Sequence, residues 1–180
     1  KDYKGDIDRA LASLDEAEKK LDIGMDEELA DILKNRFRLF NKYGIVDKIP
    51  ALSIKVDSLM SATSDKGVRL MCLELQIDNA VKAGHTSEAI SLCHDAIGLL
   101  ETSSDTQGRD TKMYAILNRL RPLCLATQKY SEAMDISRKM LAIREKDSGS
   151  DVGMEYFHVA EVYQALRDTT KALSYVDSII

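Results

Sequence analysis

An all-α chain of stacked helix pairs is what the sequence predicts, and three observations predict it. Gly and Pro are scarce, nine and two in 180 residues, whereas a β-sandwich or barrel needs a turn signal every ~8–12 residues. A seven-residue phrase recurs at a nearly constant interval. Ahead of the copies, apolar residues stand three and four positions apart, which is the helical period, most clearly Tyr156, Val159, Ala160 and Tyr163. The chain is 44% hydrophobic and 31% charged with the two signs interleaved, so it can bury enough apolar surface to offset its ordering entropy.

The phrase is a turn residue, two or three polar residues able to cap a helix, then Ala and an apolar residue. It reads Gly5-Asp6-Ile7-Asp8-Arg9-Ala10-Leu11, Gly84-His85-Thr86-Ser87-Glu88-Ala89-Ile90, Gln128-Lys129-Tyr130-Ser131-Glu132-Ala133-Met134 and Arg167-Asp168-Thr169-Thr170-Lys171-Ala172-Leu173, with a weaker copy at Gly44-Ile45-Val46-Asp47-Lys48-Ile49-Pro50. Ala10, Ile49, Ala89, Ala133 and Ala172 then lie 39, 40, 44 and 39 residues apart. In each phrase the leading residue is expected to close the preceding helix in the left-handed conformation. The Asp, Ser or Thr behind it can accept from the free N–H groups of the next helix, and the Ala lets two helices approach closely.

Nine helices follow in order. The first, 6–22, opens on the phrase at Gly5, and the second, 26–43, carries Asp26, Glu27 and Glu28 in its first turn, where acids complement the helix dipole. The third, 47–62, starts at Asp47 with Pro50 in its first turn, where a missing N–H is harmless. The fourth, 66–83, stops at Gly84, and the fifth, 87–102, follows that phrase. The polar stretch from Thr102 to Gly108 makes a longer loop before the sixth, 110–127, in which Pro122 sits mid-helix and is expected to free the carbonyl of Asn118 and kink or break the helix. The seventh, 131–147, and the ninth, 169–180, open on their phrases, and the eighth, 151–166, carries the Tyr156 to Tyr163 stripe. Each helix needs neighbours to cover its apolar stripe, so 1–180 reads as one array: a half-unit 1–22, then units of about 26–63, 66–103, 110–147 and 151–180.

These residues resemble the tetratricopeptide repeat (TPR). Its W-x2-L-G-x2-Y and A-x3-F pattern is met in outline by Tyr156, Val159, Ala160, Tyr163, Ala172 and Val176, and more loosely by Leu117, Leu120, Arg121, Cys124, Ala133 and Ser137 and by Leu73, Gln76, Ile77, Ala80, Ala89 and Cys93. The units are degenerate and longer than the family's ~34 residues, about a turn more per helix. Long units of this kind are similar to those of kinesin light chains, as in Met140-Leu141-Ala142-Ile143-Arg144-Glu145-Lys146, and to sensory regions of bacterial signalling proteins. The resemblance implies an α-α superhelix, a right-handed solenoid of antiparallel helix pairs, whose first helices line a concave groove. It places groove contacts at Asp31, Lys34, Arg38 and Asn41, at Met71, Glu74 and Asp78, at Asn118, and at Met154, Phe157, His158 and Glu161. The family's clamp for a chaperone's C-terminal carboxylate is matched only by Lys34 and Arg119; Arg38, Leu75 and Ala115 stand where Asn, Asn and Lys belong, so a tail clamp is not expected.

Chemistry is hard to find in the chain. His85, His94 and His158 make no HxxxH or ExxH pair, and Cys93 and His94, ~100° apart on a helix, do not chelate one ion together. Acidic groups such as Asp26-Glu27-Glu28 and Asp15-Glu16-Glu18, which could supply a general acid and base, read instead as helix-start and solvated-face charges, and there is no G-x-S-x-G, phosphate loop or GxGxxG. The expectation is therefore no enzyme, no metal and no cofactor. Net charge is −5 without a polybasic patch, which argues against nucleic acid as a partner, and no apolar run approaches the ~20 residues that cross a bilayer. Cys72, Cys93 and Cys124, odd in number and widely spaced, read as small buried hydrophobes. They favour a cytoplasmic compartment, with a periplasmic sensor region as the alternative. With Lys1 first and Ile180 ending inside an apolar run, the chain reads as a piece of a longer protein, and Ile179 and Ile180 leave an edge open to self-association. The function expected is a non-catalytic scaffold that binds a protein or peptide segment in its groove; the alternative is the sensory or regulatory region of a larger bacterial transcription regulator or sensor kinase.

Overall fold

A computed structural model describes residues 3–102, 108–146 and 151–178. Among the described residues the chain is all-α, with nine helices and no strand: α1 Tyr3–Lys19, α2 Asp26–Tyr43, α3 Ile49–Ala62, α4 Lys66–Ala83, α5 Thr86–Glu101, α6 Arg109–Ala126, α7 Tyr130–Glu145, α8 Gly153–Ala165 and α9 Thr169–Asp177. A 3-10 turn, Val46–Lys48, leads into α3. Most of the loop expected between Thr102 and Gly108 lies outside the described residues, as do Ile179 and Ile180.

The repeat phrase works mainly through the backbone. Gly44, Gly84, Gln128 and Arg167, its leading residues in four copies, all have positive φ, between 59° and 75°. The residue after each then donates its N–H back over the end of the helix: Ile45 to the Phe40 carbonyl, His85 to Ala80, Lys129 to Cys124 and Asp168 to Tyr163, at 2.8–2.9 Å. This is the Schellman closure, which satisfies the last carbonyls of a helix and turns the chain back. Side-chain capping by the polar residues of the phrase is narrower than expected. Asp168 accepts from the N–H of Lys171 at 3.2 Å, whereas Thr86 and Ser131 are drawn into the first turns of α5 and α7. The first copy departs altogether: Gly5 lies inside α1, which starts and ends earlier than 6–22. The expected break at Pro122 does not occur. α6 runs through it to Ala126, and both Pro122 and Asn118, the residue whose carbonyl the ring deprives of its N–H donor, are exposed.

The contacts divide the chain into two compact units, with the boundary inside α4 between Asn79 and Ala80. In the first, α1 packs on α2 and α2 on α3, around Ala30, Leu33, Phe37 and Phe40 of α2, Leu52, Val56 and Leu59 of α3, and Val68, Cys72 and Leu75 of α4. In the second, α5 packs on α6, α6 on α7, α7 on α8 and α8 on α9. Short connections make such neighbours antiparallel, so each unit is built as an α-solenoid is. The close-approach alanines of the phrase, Ala89, Ala133 and Ala172, are all buried, as are Cys72, Cys93 and Cys124, none of them in a disulfide. Burial pushes the Cys72 thiol up to about 11 and the Cys124 thiol up to about 12, so both stay protonated at neutral pH and behave as small apolar groups.

Candidate functional site

The groove residues expected from the sequence fall on first helices α2, α4, α6 and α8, and the structure sorts them by burial. In the first unit Asp31 and Arg38 are exposed and Lys34 and Asn41 half-buried, on one face of α2, with Lys34 4.0 Å from Asp31. On α4, Met71, Glu74 and Asp78 are half-buried. Met71 packs against the core of that unit, so it is a packing residue rather than the free anchor its position suggested. Leu75, one of the clamp positions, is buried in the same core.

Beside these lies an ion network that sequence reasoning missed. Arg36 of α2 is buried, and its guanidinium bridges Asp15 at 2.7 Å and Glu18, both on α1; Lys55 of α3 reaches Glu18 at 2.5 Å. Burial alone would raise the Glu18 carboxyl, but the hydrogen bonds and charges of Lys55 and Arg36 outweigh it and hold the group below the usual carboxylate value. The network borders a cavity of about 310 Å³, floored by Phe40 and Leu52 and rimmed by Arg36, Lys48 and Lys55.

In the second unit Asn118 is exposed on α6, Met154 and Phe157 are exposed on α8, and Glu161 is half-buried. Met154, Phe157 and Glu161 are spaced by three and four residues and share a face. Glu161 pairs with Arg121, which lies one turn beyond Asn118 on α6, so the salt bridge ties that face of α8 to the Asn118 side of α6. His158 does not belong to the surface: it is buried, and its Nδ1 makes no hydrogen bond within the protein. Burial, reinforced by the Arg121 charge, lowers its pKa against the opposite pull of Glu155 and Glu161.

Deeper between α6 and α8 is a second cluster that was not foreseen. Glu155 is buried; it accepts from the Tyr114 hydroxyl at 2.5 Å and lies 3.5 Å from Nε of Arg144 on α7. The Arg144 guanidinium stacks 4.5 Å above the Tyr114 ring. Burial and the bond to Glu155 raise the Tyr114 pKa, and a cleft of about 440 Å³ opens where Tyr114, Arg144, Lys146 and Asp110 meet. Nothing in the sequence separates Arg36, Arg121 or Glu155 from the solvated charges around them, since their burial depends on neighbours about 20 to 40 residues away. Among the described residues no three His, Cys, Asp or Glu side chains gather as a metal site, and no helix is long and apolar enough to cross a membrane.

No family model matches the chain, and none of the curated proteins compared with it matches. Among solved structures it is similar to BtubC (BKLC) from P. vanneervenii, with a TM-score of 0.75 and 18% sequence identity, over 98% of this chain and 73% of that one. At that identity the likeness is one of fold, and it makes this chain a helical, repeat-like protein.

Proposed function

We propose that the chain is a non-catalytic scaffold of TPR-like repeats that holds a segment of another protein against its first helices. The observation that carries this reading is the face shared by α6 and α8 in the second unit. Met154 and Phe157, two large apolar side chains of α8, are exposed on the face that also carries Glu161, which pairs with Arg121 of α6. Exposed apolar anchors ringed by a few directed polar groups are what a peptide-binding surface needs, the apolar contacts supplying affinity and the polar ones register. Around the buried Glu155, the Tyr114 hydrogen bond and the Arg144 ion pair tie α6, α7 and α8 together and stiffen the surface. A preordered surface loses little entropy on binding, and most of the ordering cost falls on the segment. The TPR assignment rests on the common register of the left-handed closures and the buried alanines that follow them. The partner in this reading is a protein segment, not nucleic acid, and no reaction is performed on it.

The test is a selection of displayed peptides against the whole chain, followed by titration of a selected peptide. Phe157→Ala should weaken binding about tenfold or more, as the loss of a central aromatic anchor does, and Asn118→Ala should change which sequences are selected. Selected peptides that bind both variants as tightly as the parent chain would overturn the assignment of this face.

A further inference from the structure

The cavity beside the Arg36 network is lined by two kinds of group. Leu11 of α1, Phe40 of α2 and Leu52 of α3 give it an apolar floor, and Phe40 and Leu52 are themselves buried. Arg36, Lys48 and Lys55 also line it, with Asp15 and Asp47 as the acids. At about 310 Å³ it reaches the lower end of the ~300–1,000 Å³ typical of small-molecule pockets, which combine an apolar lining with a few polar groups that orient the ligand. The Lys55–Glu18 pair joins α3 to α1, so helices of the first unit bound the cavity on both sides of α2.

The charges around it are unequally engaged. Arg36 is held by Asp15 and Glu18, and Lys55 has Glu18 as its one partner among the described residues. A lysine ammonium carries three N–H donors, so Lys55 keeps donors to give. Lys48 keeps all of its own, since among the described residues it forms no ion pair. The acids of α1 are committed to Arg36 and Lys55, which leaves Asp47 as the one lining carboxylate without an ion pair.

We propose that this cavity binds a small monocarboxylate with an apolar body. The carboxylate accepts from Lys48 and Lys55, and the body covers Leu11, Phe40 and Leu52. The charge-assisted bonds fix orientation and the apolar floor adds burial. A cation would meet three positive side chains, and an uncharged apolar molecule would leave the lysine donors unused. Asp47 opposes the ligand's charge, which makes the sign of that charge measurable. The site lies in the first unit and is independent of the peptide face on α8.

The probe is octanoate, titrated into the whole chain and followed by amide-resolved NMR. Saturable shifts should be confined to the first unit, around Phe40, Lys48 and Leu52. Octanol, with the same apolar body and no charge, should bind about tenfold more weakly or worse, and Lys48→Glu should weaken octanoate by a similar factor. Asp47→Asn should tighten octanoate about threefold, because a neighbouring like charge is removed. Lys48 and Asp47 are exposed, so both variants keep their helical circular dichroism, and Phe157→Ala leaves octanoate binding unchanged. Absence of saturable shifts overturns the proposal, as does octanol binding as tightly as octanoate or a Lys48→Glu chain that binds like the parent. Weaker binding by Asp47→Asn also overturns it, because the site would then select a group that Asp47 attracts.

Discussion

Gln128 and Arg167 take the left-handed conformation in positions where two other copies of the phrase hold Gly44 and Gly84. An L-residue there costs about 1–2 kcal/mol, and neither side chain returns this through burial, since both are exposed. Gln128→Gly should therefore raise stability by about 0.5–1 kcal/mol, the strain relieved less the entropy that Gly loses on folding. Gly84→Ala should lower it by about 1 kcal/mol, for conformational reasons alone, because the space a Cβ would enter is open. Shifts of the urea midpoint in these opposite directions check both. The phrase was legible because it is a local instruction, and a positive φ followed by a backward hydrogen bond needs no distant neighbour. Met71 and Met154 show the limit: the same residue type in the same kind of helix is packed in one case and exposed in the other, and only the surrounding helices distinguish them.

At the level of the helix, the predicted and observed bounds of the second and fourth coincide, because Gly44 and Gly84 stop them. The first was predicted to 22 but ends at Lys19; Leu21 and Ile23 continue an apolar pattern in sequence, yet Ile23 stands fully in solvent. α1 is tied to α2 by Arg36, with Asp15 and Glu18 as partners, and by Leu11, which packs against the core of that unit. Truncating a buried charge strands its partners, at about 3–5 kcal/mol when these are buried too. Here the acids are partly exposed and Glu18 keeps Lys55, so Arg36→Ala should cost less, about 1–3 kcal/mol. Hydrogen exchange should then speed up in α1 first, while the amides of α7 and α8 keep their protection. Equal acceleration in all helices would show that Arg36 supports more than α1.

Across the whole molecule the buried charges combine into acid sensitivity, and its sign can be worked out. His158 has a folded pKa below the ordinary imidazole value of 6.5, so below that pH the unfolded chain takes up a proton that the folded chain refuses, and stability falls. Glu18, held below 4.5, contributes stability above that value and loses it as pH falls through its folded pKa. The two losses set in at different pH, so the urea midpoint should begin to decline below about pH 6.5 and decline further below about pH 4.5, with His158→Gln removing the first onset. By itself the sequence determined the helical class, the repeat interval and the places where the chain turns, since period, glycine and local hydrogen bonding act within a few residues. Tertiary structure alone decided which charges are buried and which of the expected groove residues reach solvent. Burial is a property of neighbours, and in a repeat chain the same sequence position is core or surface according to whether another helix packs over it.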